Sequence, residues 1–464
     1  MFKLFNTLTR SIEDFRAIKK GQVRMYTCGP TVYDFAHIGN YRAYICSDIL
    51  RRWLEYSGYE VRQVMNLTDI DDKTIRDSQK HNMSLKDFTA KYITAFFEDI
   101  DALNIERANE YPKATDYIDE MVRLIKTLME KGFAYRGEDG SIYFSVRKFP
   151  DYGKLSRVKI SELEQGASGR VKSDEYEREQ ANDFALWKAW DRDDGNVFWE
   201  TEIGRGRPGW HIECSAMSMR LLGGHFDIHA GGIDLIFPHH ENEIAQSEGA
   251  SGGKFADYWF HNEYLMVNGK KMSKKLGNFF TLRDLLEKGF SPKAIRYLLM
   301  SAHYKVPLNF TETALQGAEE TIARLKEFIS KLKEANGSHT DISSHLEACK
   351  KQFGASMDDD LNISSALASV FDFMREINKL MADGTLSAEN AKEILGFMKK
   401  LDKVLGLLEF AEEKIPDEIM ALVNKRQEAR KNRDFAMSDK LRDEIRKKGW
   451  QVDDTKDGVK VKKI

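Results

Sequence analysis

The sequence lacks the features of a secreted or membrane-bound protein. Its four cysteines, at positions 28, 46, 214 and 349, are too few and too scattered for a disulfide scaffold in a chain of 464 residues. No apolar run is long enough to cross a bilayer, and the amino terminus lacks the apolar core of a signal peptide. We therefore expect a cytoplasmic protein without membrane contact, whose cysteines are buried thiols, metal ligands or nucleophiles.

A strong overall charge is also missing, since 71 basic residues face 74 acidic ones. The composition as a whole gives no sign of nucleic-acid binding, and the length predicts three or more domains. The carboxyl-terminal part differs, because residues 421–464 contain 14 Lys and Arg against 8 Asp and Glu, with Phe435 and Trp450 among them. This pattern suits an RNA-contacting surface, although a solvated helical face has the same composition.

The first informative segment is YTCGPTVYDFAHIGN, residues 26–40. The residues before its Gly-Pro pair alternate as in a strand, and apolar residues recur at helical spacing from Asn40 to Ser57. The segment His37 to Asn40 is therefore predicted to lie at a helix N-terminus, where unpaired N–H groups attract phosphate. Val61 to Met65 predicts the next strand of a β-α-β unit. Such a turn is more often ordinary helix capping, so it does not establish nucleotide binding by itself.

Three carboxylates follow this second strand, on Asp69, Asp71 and Asp72. Open α/β sheets bind ligands at strand ends, so these side chains are candidates for a magnesium site. The alternative is that they cap the next helix and interact with its dipole.

Cysteine, histidine and glutamate recur in two later segments. His239 and Glu243 lie four residues apart after Pro238, which suits the first turn of a helix. Together with Cys28 and Cys214 they make a plausible tetrahedral zinc site. His225 and His229 are also four apart and His240 is adjacent to His239, so spacing alone leaves the set of ligands open.

The third segment that suggests a chemical function is LMVNGKKMSKKLGN, residues 265–278. Four lysines, at positions 270, 271, 274 and 275, lie between Gly269 and Gly277. A loop of this composition can close over polyphosphate, although most such loops are solvated turns.

In combination and order, these segments resemble those of the cysteinyl-tRNA synthetases, which are class I aminoacyl-tRNA synthetases. The similarity includes NLTDIDDKTI at 66–75, DFALWK at 183–188 and FGASMDDDLNISSAL at 353–367, and it covers essentially the whole chain. It implies an α/β Rossmann-type catalytic domain with an inserted connective domain, followed by an α-helical bundle and a small α/β anticodon-binding domain. The implied domains are a first catalytic half at 1–126, the connective insertion at 127–204, a second catalytic half at 205–258, a stem-contact region at 259–314, the bundle at 315–405 and the anticodon-binding domain at 406–464.

The resemblance also implies roles for individual residues. The family's zinc ligands correspond to Cys28, Cys214, His239 and Glu243, and its contacts to the cysteine substrate correspond to Thr68 and Trp210. Residues 37–40 match the HIGH signature and residues 271–275 match KMSKS, which implies catalytic roles for His37, Lys271 and Lys274. The implied ATP-binding residues are Gly39, Asn40, Gly231, Gly232, Asp234 and Lys274.

The activity implied is formation of cysteinyl-adenylate and pyrophosphate from L-cysteine and ATP, followed by transfer of cysteine to the 3′-terminal adenosine of tRNA-Cys. One zinc ion per chain would select the cysteine thiolate over serine, magnesium would accompany ATP, and the protein would be a monomer. Three positions depart from the family pattern: Asn40 replaces the last histidine of HIGH, Lys275 replaces the last serine of KMSKS, and Ala230 replaces a common glycine.

Three other functions compete with this one. A ligase that passes activated cysteine to an amino sugar would have little use for a basic, aromatic carboxyl-terminal domain. A zinc hydrolase would need an open position for water and would leave the lysine loop unexplained. A non-catalytic RNA-binding protein would not need the phosphate turn and the lysine loop together.

Overall fold

A computed structural model describes residues 1–159, 183–273, 276–410, 415–455 and 458–463. These residues divide into two compact units, Met1–Leu408 and Glu409–Ile464. No helix among them is both long and apolar enough to span a bilayer.

The first unit is built on a four-stranded parallel sheet with helices packed on it. Its first part contains, in chain order, β1 (Lys3–Asn6), β2 (Ser11–Asp14), β3 (Gln22–Thr27), α1 (Ile38–Tyr56), β4 (Glu60–Met65), α2 (Asp72–Lys80), α3 (Leu85–Ala102) and α4 (Ile118–Glu130). The predicted β-α-β unit is present, because β3 and β4 pair in parallel on either side of α1. Gly58, with a φ of 93°, follows this helix and lets the chain turn back into β4.

An antiparallel sheet of five strands is inserted after α4. Its strands are β5 (Ala134–Arg136), β6 (Ile142–Phe144), β7 (Phe184–Ala189), β8 (Trp199–Thr201) and β9 (Gly204–Pro208). They lie in the order β5-β6-β7-β9-β8. The polar stretch that separates β6 from β7 in sequence falls at 160–182, outside the described residues. The sheet packs through Phe144, Phe184 and Trp187, which belong to the same buried cluster as residues of the central parallel sheet.

The chain then returns to the central sheet. The returning elements are α5 (Trp210–Leu222), β10 (Phe226–Gly232), α6 (Glu241–Ser251) and β11 (Ala256–Asn262). The complete sheet has the order β11-β10-β3-β4, and each neighbouring pair is parallel. Since the connections from β3 and β10 run in opposite directions, the switch point of the sheet lies between these two strands.

A small sheet and a helical bundle complete the first unit. The small sheet region contains β12 (Leu265–Val267), β13 (Lys270–Lys271), α7 (Leu282–Glu287), α8 (Pro292–Met300) and β14 (Leu308–Phe310). The bundle contains α9 (Glu312–Glu334), α10 (Ser343–Asp358), α11 (Ile363–Ala382) and α12 (Ala388–Leu405). Apolar residues recur three and four positions apart in α9 and α11, and this face is core, since Leu315, Leu325, Val370 and Ile377 are all buried.

A buried ion-pair network, formed by Asp48, Arg52 and Arg296 and called here the arginine network, ties α1 and α8 to the end of the bundle. Asp48 Oδ2 accepts hydrogen bonds from Arg52 Nε (2.8 Å) and Arg296 Nη2 (2.6 Å). The two arginines also donate to the carbonyls of Lys403 and Leu405, at the carboxyl end of α12. These helix-end carbonyls have no partner inside the helix, so the arginines cap it.

The second unit pairs two helices with a hairpin. Its elements are α13 (Asp417–Lys431), α14 (Phe435–Lys447), β15 (Trp450–Thr455) and β16 (Gly458–Lys463). The two strands are antiparallel, and Ile419, Val423, Ile445, Trp450 and Val452 form the core. Trp450 is therefore part of the interior, whereas Phe435 is exposed at 60%.

Candidate metal centre and nucleotide-binding turn

The candidate site lies at the carboxyl ends of β3 and β10, on the switch point of the sheet. Cys28 directly follows β3, and its backbone N–H donates to the carbonyl of Ala230 in β10 (3.0 Å). Gly29 must be glycine here, because a Cβ at that position would lie 1.9 Å from the carbonyl oxygen of Asn66. The strand ends thus hold Cys28 in the position where open α/β sheets bind ligands.

The structure brings together the four side chains that the sequence proposed as zinc ligands. The ligand atoms of Cys28, Cys214, His239 and Glu243 all lie within 4.8 Å of one another, and all four residues are buried. Cys214 comes from α5 and Glu243 from α6, while His239 lies on the short turn before that helix. Two sulfurs, one imidazole nitrogen and one carboxylate oxygen form a donor set that fits zinc.

The charges in this cluster offset one another. Burial opposes ionisation of Glu243, but His229 and His239 outweigh it and lower the pKa of this carboxyl to about 2. Burial likewise disfavours the charged form of His239, yet Glu243 and Cys214 raise its pKa to about 10. At Cys214, contacts with Cys28 and His239 outweigh burial and lower the pKa of the thiol to about 6. Burial and the neighbouring Cys214 raise the pKa of the Cys28 thiol well above its usual range, so a divalent metal that binds here would displace protons from both Cys28 and His239.

Two further histidines contact the same cluster. His240 Nε2 lies 3.3 Å from Cys28 Sγ, and His229 Nε2 lies 2.8 Å from Glu243 Oε2. With Cys28 and Glu243 they form a second group of four ligand atoms within 4.8 Å of one another. The third histidine that the sequence left open, His225, is partly exposed and bonded to Asp257 instead.

Trp210 and Thr68, the proposed substrate contacts, lie beside the cluster. The Trp210 ring stacks on His239 with centroids 4.1 Å apart. Thr68 is buried, and its hydroxyl donates to Glu213 Oε2 (3.1 Å). Glu213 was not singled out from the sequence, because a glutamate inside a helix carries no signal there. Burial and the neighbouring Cys214 raise the pKa of this carboxyl well above its usual range. Glu213 lines the same cavity as Trp210 and contributes a polar group to it.

The HIGH-like segment begins α1, as the sequence predicted. His37 is the N-cap: its Nδ1 accepts from the Asn40 backbone N–H (3.2 Å), and the Asn40 side-chain oxygen accepts from the His37 N–H (3.1 Å). This reciprocal capping uses the Asn40 oxygen, which leaves its amide NH₂ as the group for a ligand. Gly39 is closely packed, since a Cβ there would lie 3.0 Å from the His37 ring.

The KMSKS-like segment lies against the same helix end. Met272 Cε is 3.3 Å from the position that a Cβ on Gly39 would occupy, and the carbonyl of Phe280 accepts from the Ile38 N–H (3.0 Å). Lys271 ends β13 with its side chain exposed. Lys274 and Lys275 fall outside the described residues. The two signature segments are thus neighbours at one helix N-terminus.

The proposed adenosine segment ends β10. A Cβ on Gly231 would lie 2.7 Å from the His240 ring, and one on Gly232 would lie 2.5 Å from Asp234 Oδ1. Gly231 is therefore explained by close packing against His240, whereas the contact at Gly232 is with the end of the Asp234 side chain, which lies exposed just beyond it. Ala230, the departure from the family pattern, is buried in the strand.

The three aspartates after β4 have protein partners. Asp71 is the N-cap of α2 and accepts from the Lys73 N–H (2.8 Å), and Asp69 accepts two hydrogen bonds from Thr115. Asp72 pairs with Lys188 and Arg207 of the inserted sheet. Of the two interpretations of these carboxylates, the structure supports capping and domain linkage over a magnesium site.

Known protein families match this chain along nearly its whole length. Residues 14–320 match the tRNA synthetases class I (C) catalytic domain, residues 352–409 match the DALR domain, and residues 412–461 match the cysteinyl-tRNA ligase anticodon binding domain. A solved methionyl-tRNA synthetase of Mycobacterium tuberculosis, in complex with methionyl-adenylate, has a similar fold: the TM-score is 0.58 at 15% identity, over 83% of this chain and 89% of that one. The fold is that of a class I aminoacyl-tRNA synthetase, and residues 14–320 match the catalytic domain of this class.

Comparison with two relatives identifies the family within this class. The cysteine-tRNA ligase of Chlamydia felis is 50% identical over 99% of this chain and 98% of its own length. The cysteine-tRNA ligase of Protochlamydia amoebophila is 49% identical over the same shares of the two chains. The chain therefore belongs to the cysteine-tRNA ligase family.

Proposed function

We propose that this protein activates L-cysteine with ATP and transfers it to the 3′-terminal adenosine of tRNA-Cys, with zinc recognising the thiol. The observation that carries the proposal is the buried group of Cys28, Cys214, His239 and Glu243 at the switch point of the sheet, in a member of the cysteine-tRNA ligase family. Family membership argues against the competing hydrolase and the non-catalytic RNA-binding protein. The anticodon binding domain argues against an amino-sugar acceptor.

Selection between cysteine and serine is the task that the metal would perform. An apolar pocket that reads size alone rejects a near-isostere by about 1 to 3 kcal/mol, which is too little for accurate translation. Bound zinc supplies a soft cation that accepts a thiolate much better than a hydroxyl oxygen. Trp210, stacked on His239, would cover the small side chain, and Thr68 with Glu213 would supply the polar wall.

Adenylate formation would use the end of α1 and the lysine loop. The reaction displaces pyrophosphate from the α-phosphorus, so positioning and neutralisation of developing charge supply most of the rate acceleration. His37, Gly39 and Asn40 would hold phosphate at the helix N-terminus, and Lys271 and Lys274 would neutralise the leaving pyrophosphate, together with magnesium. Gly231, Gly232 and Asp234 would hold the adenosine. This assignment is supported by the contact of Met272 with the start of α1.

Transfer requires tRNA, and the second unit is its proposed anticodon contact. The basic surplus of residues 421–464 supports this assignment. We retain the domain limits expected from the sequence, with one change: β9 pairs with β7, so the inserted domain extends from about 127 to Pro208. A monomer remains our expectation.

One experiment tests the activation step, its specificity for cysteine and the presence of zinc. ATP-pyrophosphate exchange is measured with each of the twenty amino acids, beside elemental analysis of the purified protein. We expect exchange with cysteine alone and zinc in the preparation. Exchange that is equally fast with serine, or absent with cysteine, would contradict the proposed specificity.

A further inference from the structure

Tyr264 is an aromatic side chain that lies exposed beside the nucleotide-binding segments. It follows β11 and precedes β12, and it is 45% exposed, whereas Trp259 of β11 is 1% exposed. The backbone on both sides of it is fixed by hydrogen bonds. The Glu263 N–H donates to the Tyr304 carbonyl (2.8 Å), and the Leu308 N–H donates to the carbonyl of Tyr264 itself (3.1 Å). The fold therefore holds this exposed ring on a rigid support, as it does for residues that bind ligands.

The central sheet places Tyr264 level with the proposed adenosine segment. In the parallel pair of β10 and β11, Gly232 lies opposite Asn262. Asp234 and Tyr264 each follow two residues later, just beyond the carboxyl ends of neighbouring strands, where open α/β sheets bind ligands. The pKa of the Tyr264 hydroxyl agrees with this placement, since partial burial and the charges of Asp234 and Glu263 raise it. The ring therefore borders the position proposed for the nucleoside.

The hairpin of β12 and β13, which carries the first lysine of the KMSKS-like segment, begins directly after Tyr264. Lys271 Nζ lies 5.8 Å from the centre of the Tyr264 ring. This distance is close to the limit of about 6 Å for attraction between a cation and an aromatic ring, so the contact is weak and does not by itself explain the ring. At the far end of the hairpin, Met272 lies against Gly39 at the start of α1. Tyr264 thus lies between the segments proposed for the adenosine and for the phosphates.

A purine base presents a flat face on which an aromatic side chain stacks favourably. Gly231 and Gly232 let the backbone approach a ligand closely, but they offer no side chain for such a contact. We propose that the Tyr264 ring stacks on the adenine base of ATP and so positions the nucleotide for adenylate formation. This inference rests on the proposed function, because it names a further residue of the same ATP site.

Stacking on adenine gives Tyr264 a different role from that of the lysines. The base takes no part in the bond changes, so the ring contacts it equally before and during the reaction. Loss of such a contact raises the ATP KM and leaves kcat nearly unchanged. One base–aromatic stack corresponds to about 5- to 150-fold in affinity, and phenylalanine retains the stacking face.

The test separates ATP into two halves. Adenosine carries the base without the phosphates, and inorganic tripolyphosphate carries phosphates without a base. Isothermal titration calorimetry measures the binding of ATP, adenosine and tripolyphosphate to the full-length, zinc-loaded chain, and ATP-pyrophosphate exchange measures KM and kcat. We expect Tyr264→Leu to weaken ATP and adenosine binding by about 5- to 150-fold, with tripolyphosphate binding and kcat unchanged. Tyr264→Phe should match the parent chain in every measurement.

The matched control is Tyr135→Leu, which alters a tyrosine of β5 that is also 45% exposed and which should behave as the parent chain does. Since all three substitutions are on exposed side chains, the fold should be retained, and circular dichroism checks this.

Adenosine binding that is absent from the parent chain, or unchanged in Tyr264→Leu, would overturn the stacking proposal. An equal loss of tripolyphosphate binding would overturn it as well, because the ring would then act through Lys271. Binding of the two halves does not depend on cysteine or tRNA, so a parent chain that binds adenosine but lacks exchange activity would contradict the proposed function alone.

Discussion

The metal cluster and the arginine network are both buried groups of charged side chains, but they differ in how completely the protein satisfies them. Among the residues that the structure describes, no side-chain nitrogen or oxygen of Asp48, Arg52 or Arg296 is buried without a hydrogen-bond partner. Beside the metal cluster, the Tyr26 hydroxyl and His229 Nδ1 are buried without one. Since unpartnered buried polar atoms are costly, the first group is complete by itself and the second is arranged for something it must bind.

The difference also appears in the residue types. The arginine network contains groups that remain charged and bind carbonyls and carboxylates in fixed geometry, which suits a structural role. The metal cluster contains thiols, imidazoles and a carboxylate, whose charge depends on their surroundings and which bind metals. In this comparison, the buried charged group with complete hydrogen bonding has a structural role. The group with incomplete hydrogen bonding is the candidate ligand-binding site.

The largest effect is expected from Asp48→Ala in the arginine network. Removal of this carboxylate leaves Arg296 charged and buried without its counterion, and leaves Arg52 with only the more exposed Glu106, which should lower the free energy of unfolding by about 3–5 kcal/mol. Denaturant unfolding measures the loss. The control is Asp372→Ala, which removes a similar pair with Arg375 on the surface and should cost less than about 1 kcal/mol. Equal losses in the two variants would show that burial is not the cause.

The next effect concerns the metal rather than the fold. Cys214→Ser should weaken zinc binding and slow cysteine activation by more than about 100-fold, because loss of a ligand costs more than loss of an outer partner, which costs about 10- to 100-fold. Chelator competition and pyrophosphate exchange measure the two losses. The control is Cys349→Ser, which alters a cysteine that is also buried and that donates to the Ser369 carbonyl. This variant should retain the zinc affinity and the activation rate of the parent chain. If the zinc affinity of Cys214→Ser were unchanged, the principal metal site would be the group of Cys28, His229, His240 and Glu243.

The lysine loop provides a third contrast, since its cations would act only during the reaction. Lys274→Ala should lower the rate of cysteine activation by about 100-fold while changing the apparent ATP affinity less, because this lysine is proposed to stabilise the departing pyrophosphate. Steady-state kinetics with ATP as the varied substrate separates the two quantities. Lys275→Ala, at the position where the family has serine, should have a smaller effect. A change confined to the ATP KM would make the loop a binding clamp.

The smallest effect is expected from the ion pairs that Asp72, a half-exposed residue, forms with Lys188 and Arg207. These pairs join α2 to the inserted sheet. Burial raises the pKa of Asp72, but Arg207 and Lys188 outweigh it and hold the pKa below its ordinary value of 3.8. A lowered carboxyl pKa stabilises the fold above pH 3.8, and the contribution disappears as the pH falls below it. Asp72→Asn should therefore cost less than about 1 kcal/mol at neutral pH and nothing in strong acid. A difference from the parent chain that persists in acid would exclude the ion pairs as its cause.

The local features were predictable because neighbouring residues produce them. The start of α1 at His37 follows from a capping residue before a periodic apolar stretch, and the hairpin of β5 and β6 follows from a turn between two short strands. The five-stranded extent of that inserted sheet was not predictable. Its third strand begins at Phe184, far along the chain from β6, and pairing between remote strands leaves no local pattern.

The sequence by itself determined which chemistry was available: two thiols, several imidazoles and one glutamate at helical spacing, beside a turn suited to phosphate. It did not decide which of these side chains would meet. His225 and His229 have the same spacing as His239 and Glu243, yet His225 lies at the surface and His229 lies inside. That choice was made by the packing of β3, α5, β10 and α6, because in each group ligand atoms from three separate segments come within 4.8 Å only when the sheet and its helices are assembled.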